Sequence, residues 1–399
     1  MSIAQIFDQT TPFVSGYSMR SRYITDSLTR LGVKVRAFSS PIFSYKAKQE
    51  TIGNVPYVRS EVPLWNIVRR VPVFKEYCII EAIKNTLESS WNDDIQLLDA
   101  HSSLLNGLAA VEVAKKHKIP FMYEIRALWE DAAVDQGKTR EGSLRYNLTR
   151  KIETDVAHKA DRVTVICEGL RRDIIGRGFS EDKITIIPNG VDTDIFKPQP
   201  MDKNLKKQHG FNDCLVIGFI GTFFHFEGLE LLVRAARQIL AERKDVKFFL
   251  VGGGEREAEL KKLANELGLT QHIVFSGRVK HDDIQKYYSI MDVLVYPRIS
   301  KRITELVTPL KPLEAMAMEK FVLASDVGGL RELVTSGVTG MLFKAGDIDD
   351  LADKCLWAIN NIGETQGMSR AARAYVVRER NWLKICERYL TIFRELGVH

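Results

Sequence analysis

Residues 248–255 read FFLVGGGE. The apolar residues 248–251 have the composition of a buried strand, the three glycines form a loop, and Glu255 begins an amphipathic stretch. A strand, a glycine loop and a helix in this order are the setting of a dinucleotide-binding fingerprint. The pattern G-x-G-x-x-G/A fails at its sixth position, Glu257, and no acidic residue closes the next strand, at 273–276. The stretch therefore predicts a Rossmann-like domain and disfavours NAD as its ligand.

Strand-length apolar runs alternate with helical periodicity on both sides of this stretch. The predicted strands are 3–7, 34–39, 95–100, 121–125, 162–167 and 184–187, then 215–220, 247–251, 272–275, 293–296, 321–324 and 341–343. The predicted helices include 19–31, 105–117, 228–242, 255–267 and 312–318. This alternation predicts an α/β chain with two Rossmann-like domains, each with a mostly parallel sheet covered on both faces. We expect the boundary at the Pro-containing stretch 196–200, which gives domains 1–197 and 198–370.

Composition excludes several classes of protein. The 399 residues correspond to about two ordinary domains. The net charge of +6 is spread evenly along the chain, so no basic stripe predicts nucleic-acid binding. Five cysteines without CxxC or CxxH spacing predict neither disulfides nor a zinc site. The N-terminus lacks a signal-peptide pattern and the longest near-apolar run, 214–224, is too short to span a bilayer, so we expect a cytoplasmic protein.

Polar residues follow several predicted strands of the first half. Ser15-Gly16 precedes a helix, which suits close approach of an anion, although Ser15 could equally be an ordinary N-cap. His101 ends a buried strand, where a histidine either contacts a ligand or serves the structure. Arg126, Trp129 and Glu130 follow the next strand and suit carbohydrate recognition, with an i,i+4 ion pair between Arg126 and Glu130 as the alternative.

The densest polar cluster lies at 296–318. Four cations, Arg298, Lys301, Arg302 and Lys311, leave a predicted strand and could neutralise a diphosphate. Glu305 and Glu314 could accept hydrogen bonds from sugar hydroxyls, whereas a merely solvated loop would carry fewer Pro, Val and Leu residues. A possible metal-binding pair, Asp192 and Asp194, lies in an Asn-Gly turn and favours a structural role, so we expect no metal.

Several motifs in this order resemble the retaining nucleotide-sugar glycosyltransferases of family four, which have the GT-B fold. They are the Ser15-Gly16 loop, His101, IIPNGVDTDIF at 186–196, FIGTF at 219–223 with EGLELL at 227–232, FFLVGGGE at 248–255, FSGRV at 275–279, LKPLEAMAM at 310–318 and LASDVGGLRELV at 323–334. The runs HSSLLNGLAA at 101–110 and YEIRALWEDAAVDQGKTR at 123–140 resemble a subgroup associated with bacterial exopolysaccharide and exosortase gene clusters.

The resemblance implies two domains facing each other across a cleft, with helices at about 371–399 crossing back to the first. It implies that Glu314 is the second glutamate of an E-x7-E motif and holds the nucleotide ribose. The first glutamate should stand at Leu306, but the acid is Glu305. The family's diphosphate-binding Arg and Lys correspond to Thr222 and Glu227, so we infer that the positive charge has moved to Arg298, Arg302 and Lys311.

The predicted site residues follow from these assignments. The predicted catalytic residues are His101, Glu305 and Lys311. The predicted donor-binding residues are Ser15, Gly16, Gly221, Thr222, Gly253, Val279, Arg298, Arg302, Thr308, Pro309, Leu310 and Glu314. The predicted acceptor-binding residues are Arg126, Trp129 and Glu130, and neither a metal nor another cofactor is expected.

The resemblance implies a transferase that uses a UDP-, GDP- or ADP-linked sugar and a glycan or lipid-linked acceptor. No enzymatic nucleophile is expected, because the departing phosphate oxygen takes the acceptor proton. A sugar-nucleotide epimerase of the same architecture and an inactive partner of another transferase are the alternatives. Residues 62–87, with Trp65, Arg69, Arg70 and Lys75 among apolar residues, predict either peripheral membrane contact or a core-packing helix with a basic outer face.

Overall fold

The computed structural model describes residues 1–71, 73–135 and 137–399, and they form two compact units. Unit 1 comprises Met1–Asn189 with Trp382–His399, and unit 2 comprises Gly190–Asn381. The structural division thus lies earlier than the expected boundary at 197, and the return to unit 1 begins later than 371. The reason is that the guanidinium of Arg373 donates to the carbonyl oxygens of Phe196, at 2.7 Å, and Ala317, at 2.6 Å, which holds both ends of this region on unit 2.

The strands of the two units have the following bounds: β1 Ser2–Phe7, β2 Lys34–Ser39, β3 Gln49–Ile52, β4 Val55–Arg59, β5 Leu97–His101, β6 Phe121–Ile125, β7 Arg162–Val165, β8 Ile184–Ile186, β9 Leu215–Thr222, β10 Val246–Gly253, β11 Ile273–Gly277, β12 Val293–Tyr296, β13 Phe321–Ser325 and β14 Met341–Phe343. The α-helices have these bounds: α1 Gly16–Arg30, α2 Trp65–Val68, α3 Phe74–Ser89, α4 Leu104–His117, α5 Trp129–Asp135, α6 Leu144–Lys159, α7 Glu168–Gly176, α8 Lys203–Gln208, α9 Leu229–Glu242, α10 Glu257–Glu266, α11 Ile284–Ser289, α12 Arg302–Leu306, α13 Lys311–Ala317, α14 Gly328–Arg331, α15 Ile348–Asn360, α16 Ile362–Glu379 and α17 Trp382–Glu395.

The sheet of unit 2 has the order β11-β10-β9-β12-β13-β14, and all its paired strands are parallel. Renumbered within the unit, this is 3-2-1-4-5-6, the order of a doubly wound dinucleotide-binding fold. The sheet of unit 1 has the order β3-β4-β2-β1-β5-β6-β7-β8, which follows the same rule with additional strands at both edges. Both predicted parallel sheets are therefore confirmed.

The predicted strands all occur, within two residues at each end. The hairpin of β3 and β4 was not predicted, and β3 is antiparallel to β4. The residues of β3 alternate between exposed and partly exposed, and β4, although mostly buried, contains Pro56, so neither strand presents the continuous apolar run on which the other predictions rested. The hairpin covers the outer edge of β2.

A buried carboxylate joins the last helix to the sheet of unit 1. Glu124, on β6, is fully buried and its Oε1 accepts from Nε of Arg20 at 3.0 Å and from Nε of Arg126 at 2.8 Å. The hydroxyl of Tyr389, on α17, donates to Oε2 of the same carboxylate. Burial alone would raise the pKa of Glu124, but the charges of Arg20, His101 and Arg126 lower it well below its usual range. Glu124 is thus the negative centre of a buried, cationic cluster.

Aromatic packing completes this junction. The Trp382 ring, at the start of α17, stacks on Tyr23 of α1 with a centroid distance of 5.8 Å and an interplanar angle of 15°. The Arg20 guanidinium lies 5.4 Å from the centroid of the Trp382 ring. Residues 382–399 therefore pack as an integral part of unit 1.

We expect Glu124→Gln to destabilise unit 1 by about 3–5 kcal/mol, because it leaves two buried guanidinium groups without their counter-charge. Tyr389→Phe should cost about 1.5–3 kcal/mol, the value of a hydrogen bond to a charged group. Urea unfolding, with hydrogen–deuterium exchange of β6 and α17 to assign the loss to unit 1, measures both effects. The exposed Tyr77→Phe is the matched control and should stay within about 0.5 kcal/mol of wild type. Equal stability of Glu124→Gln and wild type would contradict the role given to this carboxylate.

Candidate functional site

The topology of unit 2 defines where a ligand can bind. Strands β9 and β12 are neighbours, but the chain leaves them toward opposite sides of the sheet. In parallel sheets such a switch point leaves a crevice at the carboxyl ends of the two strands. The loops that follow these strands, 223–228 and 297–310, carry the predicted charged residues. The crevice of unit 2 is therefore the candidate site.

A buried ion pair joins these two loops. Glu227, 2% exposed, accepts from the Arg298 guanidinium through both carboxylate oxygens, at 3.1 Å from Nε and 2.8 Å from Nη2. The backbone N–H of Ile299 donates to the carbonyl of Phe226, and the hydroxyl of Ser325 donates to the carbonyl of Arg298. Burial opposes ionisation of Glu227, yet Arg298 and Lys311 lower its pKa below the usual value. The positive charge of Arg298 is thus largely neutralised by Glu227.

Lys311 places its amine at the end of β9. A Cβ at Gly221 would lie 2.5 Å from Nζ and 2.8 Å from Cε of Lys311, so a side chain at position 221 would displace the end of this lysine. The amine also lies 5.8 Å from the centroid of the Phe219 ring. Burial lowers the pKa of Lys311, while Glu227 raises it. The amine therefore lies beside the backbone of Gly221, at the switch point.

Glu314 lies one helical turn beyond Lys311 on α13. Its Oε2 accepts from the hydroxyl of Tyr288, on α11, at 2.9 Å, while the hydroxyl of Tyr296 donates to the carbonyl of Lys311 at 3.1 Å. Tyr288 and Tyr296 are buried, and burial raises the pKa of both well above the usual value. Tyr288 was not predicted, because nothing in its local sequence pattern distinguishes it from a core residue of α11.

Glu305 is directed toward the loop after β13. Its Oε2 accepts from the backbone N–H of Gly328 at 2.7 Å, and its Oε1 accepts from the Ser300 hydroxyl at 2.7 Å. Arg331 lies 3.6 Å from the same carboxylate. Glu305 thus links the loops after β12 and β13. Its catalytic role stays a prediction, and to fill it Glu305 would have to leave these partners.

The other predicted donor-binding positions lie at the same carboxyl edge. Thr222 and Gly253 pair in register at the ends of β9 and β10. Val279 follows β11 and packs against the core of unit 2. Arg302 begins α12, and the segment of Thr308, Pro309 and Leu310 leads into α13, with Thr308 buried. The fold therefore gathers the unit 2 positions, while their contacts with a donor remain predictions.

Ser15 and Gly16 belong to unit 1, where Ser15 is the N-cap of α1. The N–H of Ser18 donates to the Ser15 hydroxyl at 3.1 Å, and the N–H of Ser15 donates to the Ser18 hydroxyl at 2.9 Å. This reciprocal pairing is a capping box, so the N-cap interpretation of Ser15 holds. Asp8 precedes this loop at the end of β1 and was not predicted as a site residue. Burial raises its pKa to about 6 against the hydrogen bond from Ser103.

His101 is fully enclosed by protein groups. Its Nε2 lies 2.9 Å from Oδ2 of Asp99, and its Nδ1 lies 2.7 Å from Nη2 of Arg126 and 3.0 Å from Oε1 of Glu124. The side chain is 0% exposed. A structural role for His101 therefore accounts for the contacts that the ring makes. To contact a donor sugar, as predicted, the ring would have to give up some of these contacts.

The predicted acceptor residues do not form one exposed surface. Arg126 uses Nε on Glu124, Nη1 on the Tyr17 carbonyl and Ser21, and Nη2 on His101, and the residue is 5% exposed. Glu130 is fully buried and pairs with Arg177 at 2.6 Å.

The alternative, an i,i+4 ion pair between Arg126 and Glu130 on a helix surface, does not form, because Arg126 precedes α5 and each residue has another partner. Trp129 alone of the three is partly exposed.

Residues 62–87 fit neither of the two interpretations completely. The second half of α3 packs Ile79, Ala82, Ile83 and Leu87 into the core. The first half of the segment instead exposes a set of large apolar side chains by 51–80%: Leu64, Ile67, Val71, Val73, Phe74 and Tyr77. Pro72 in this segment, and Gln136 in the run 123–140, lie outside the described residues. Within the part of the chain that is described, no helix is both long and apolar enough to cross a membrane.

The arrangement of the His, Cys, Asp and Glu side chains bears on metal binding. Among the described residues, no group of three or more His, Cys, Asp or Glu side chains is placed to hold a metal ion. In the Asp192-Thr193-Asp194 motif, Oδ1 of Asp192 accepts from the backbone N–H groups of Asp194 and Ile195, each at 3.0 Å. That carboxylate closes its own turn.

Two models of known protein families match the chain. The model described as Glycosyltransferase Family 4 matches residues 14–195, and that described as Glycosyl transferases group 1 matches residues 201–375. The chain belongs to glycosyltransferase family 4. The predicted family is thereby confirmed.

Relatives of known name match different fractions of the chain. A 2-deoxystreptamine glucosyltransferase of Streptomyces kanamyceticus is 25% identical over 305 residues, which cover 75% of the chain and 76% of that protein. A GDP-mannose-dependent monoacylated alpha-(1-6)-phosphatidylinositol monomannoside mannosyltransferase of Corynebacterium glutamicum is 30% identical over 250 residues, 61% of the chain and 64% of that protein. HepE of Anabaena, solved with UDP and glucose, superposes with a TM-score of 0.77 at 17% identity, covering 99% of the chain and 100% of HepE. This likeness shows the fold, and the predicted GT-B fold is confirmed.

Glu227→Gln should lower the pKa of Lys311 further, because it removes the negative charge that favours the ammonium form against burial. The amine of the variant should therefore lose its proton at a lower pH than that of the wild type. An NMR titration of the lysine side-chain methylene resonances, with Lys311 assigned by substitution, measures this. Glu230→Gln, on α9 nearby, is the control and should leave the titration unchanged. An unchanged or raised Lys311 pKa in Glu227→Gln would show that the two groups are not coupled.

Proposed function

We propose that the protein is a retaining glycosyltransferase that moves a sugar from a nucleotide-sugar donor to a glycan or lipid-linked acceptor in cell-surface polysaccharide synthesis. The observation that carries this proposal is the position of Lys311, whose amine covers the end of β9 at the switch point of unit 2. Glu314 follows on the same helix and faces the same crevice wall as Tyr288. One cation and one carboxylate at this edge suit a diphosphate and the ribose beside it.

The charge balance makes Lys311 the principal partner of the diphosphate. Glu227 and Arg298 neutralise each other through two hydrogen bonds. Of the three cations inferred to replace the missing bases at 222 and 227, Arg298 is therefore committed to Glu227. Arg302 begins α12 in the same loop and adds positive charge. A preorganised ammonium group at a developing diphosphate charge is a large contribution to catalysis by electrostatic stabilisation.

The reaction requires no nucleophile from the protein. The bond between the anomeric carbon and the diphosphate oxygen breaks, and the acceptor hydroxyl forms its new bond on the same face of the sugar. The proton of that hydroxyl moves to the departing diphosphate oxygen. What the protein supplies is the position of both substrates and the charge that stabilises the leaving group. Lys311, whose amine lies beside Gly221, supplies this positive charge.

The donor is proposed to be a UDP-, GDP- or ADP-linked sugar. HepE was solved with UDP and glucose, and the Corynebacterium relative is named for GDP-mannose, so relatives differ in their nucleotides. We propose that Glu314 binds the ribose, which all three nucleotides share. Tyr288 keeps the Glu314 carboxylate in place by donating to Oε2.

Lys311→Ala should weaken binding of the preferred nucleotide by roughly 10- to 150-fold, the equivalent of about 1.5–3 kcal/mol for a lost charged hydrogen bond. Glu314→Ala should weaken it similarly. Isothermal titration calorimetry with UDP, GDP and ADP measures the affinity, and circular dichroism checks the fold. Lys344→Ala, which removes an exposed lysine after β14, is the matched control and should bind like wild type. Wild-type affinity in Lys311→Ala would refute the role of this amine.

Activity should survive EDTA, because Lys311 and Arg302 are proposed to supply the charge that a divalent ion supplies in other transferases. A thermal-shift screen of nucleotide sugars first selects the donor, since a ligand of the folded state raises its stability. Transfer is then followed with and without EDTA, and the anomeric configuration of the product is read from its proton coupling constant. Strict dependence on Mn²⁺ or Mg²⁺ would contradict the metal-independent proposal, and inversion at the anomeric carbon would contradict retention. Isomerisation of the donor incubated alone would indicate an epimerase instead.

A further inference from the structure

Unit 1 contains a cavity of about 760 Å³ away from its own switch point. It lies where the chain leaves the carboxyl ends of β2 and β4, between the loop that begins at Pro41 and the segment 60–65. Three aromatic side chains, Phe43, Tyr45 and Trp65, line it. Its volume falls within the range of about 300–1,000 Å³ that is typical of small-molecule sites.

The inner wall of this cavity is rigidly built around Arg59. The guanidinium lies 4.1 Å from the centroid of the Tyr45 ring and 4.8 Å from that of Tyr57. Its Nη2 donates to the Thr11 carbonyl at 2.8 Å and to Glu50 at 2.5 Å. Nε of Arg59 and the hydroxyl of Ser60, a second lining residue, are buried without a hydrogen-bond partner. Both atoms are enclosed by protein, so the polar contacts of a ligand would come from the rim of the cavity.

The rim of the cavity is polar on one side. Nζ of Lys48 lies 2.6 Å from Oε2 of Glu61, and both side chains are largely exposed. The pair offers donors and acceptors together, which suits hydroxyl groups better than it suits a single ionic charge. Aromatic faces with convergent polar groups at their edges are the arrangement that receives a pyranose ring, whose C–H face is apolar and whose rim carries hydroxyls.

The other side of the rim continues into the exposed apolar segment described above. Pro63 and Trp65 line the cavity, and Leu64 between them is 74% exposed. Ile67 and Phe74 extend this surface, which also carries the exposed residues Arg69 and Arg70. An apolar surface that begins at the cavity mouth suits a hydrocarbon chain attached to the bound sugar.

We propose that this cavity binds the glycan end of the acceptor, and that the acceptor's apolar carrier runs over residues 64–71 and 73–77. The inference rests on the proposed transferase function and names its acceptor class, a glycan on a hydrocarbon carrier. It adds a second candidate surface to the predicted acceptor residues Arg126, Trp129 and Glu130, of which Arg126 and Glu130 have side chains buried in ion pairs. Trp65 supplies the stacking face, and Lys48 with Glu61 supplies the hydroxyl contacts.

The probes are the methyl and octyl glycosides of glucose, galactose, mannose and N-acetylglucosamine. The full-length protein is labelled with 5-fluorotryptophan, and the Trp65 resonance is assigned with Trp65→Phe. A methyl glycoside should shift the ¹⁹F resonance of Trp65 and leave that of Trp129 in place. The matching octyl glycoside should do so at least about tenfold more tightly, because part of its chain is buried on the apolar segment. Saturation transfer to the glycoside should be lost in Trp65→Ala and Lys48→Ala and retained in Trp129→Ala.

Three outcomes would overturn the proposal. They are a Trp65 resonance that no glycoside moves, one that only octyl glycosides move, and saturation transfer that depends on Trp129 rather than Trp65. The donor function is tested separately in the same samples. Trp65→Ala should bind the nucleotide like wild type by calorimetry, and Lys311→Ala should keep the glycoside response. Loss of nucleotide binding in wild type would remove the proposed function while leaving the glycoside result to stand by itself.

Discussion

The direction of the strands is the constraint on which both candidate sites depend. Apart from β3, every strand runs parallel to its neighbours, so within each unit the carboxyl ends gather at one edge of the sheet. Loops at that edge need not form regular structure, and polar residues accumulate there because the strands themselves are buried on both faces. The crevice at Gly221 and the cavity at Trp65 both follow from this rule: the first lies at the switch point of unit 2, and the second lies away from the switch point of unit 1.

Buried charges then decide which polar residues are available to a ligand. Desolvation makes an unpaired buried charge very costly, so each must find a partner inside the protein. Glu124 forms ion pairs with Arg20 and Arg126, Glu130 with Arg177, and Glu227 with Arg298. Such pairs hold loops together and are poor candidates for direct recognition. Lys311 differs from them, because no side chain of the described residues makes an ion pair with its amine and its neighbour is the bare backbone of Gly221.

The sequence was informative where a pattern is local. The strand–glycine–helix motif at 248–255 and the apolar runs predicted the parallel sheets, and the motifs between 186 and 334 predicted the family. Partnership between distant residues could not be predicted, because Glu124 and Tyr389 are separated by most of the chain and meet only in the fold. For the same reason the ion pair between Glu130 and Arg177 could not be predicted, and the acceptor-binding role of Arg126, Trp129 and Glu130 stays a prediction. The cavity at Trp65 escaped prediction because its wall includes the hairpin of β3 and β4, whose polar alternation carries little signal.

The path of the chain between the units has a consequence for biosynthesis. Unit 1 receives its last helix only after the roughly 190 residues of unit 2 have been made. At translation rates of about 5–20 residues per second, this interval lasts roughly 10–40 s. During that time the growing chain carries Glu124 and the exposed face of α1 without Tyr389 and Trp382. Unit 2, whose residues are contiguous, is therefore synthesised in full before the last segment of unit 1.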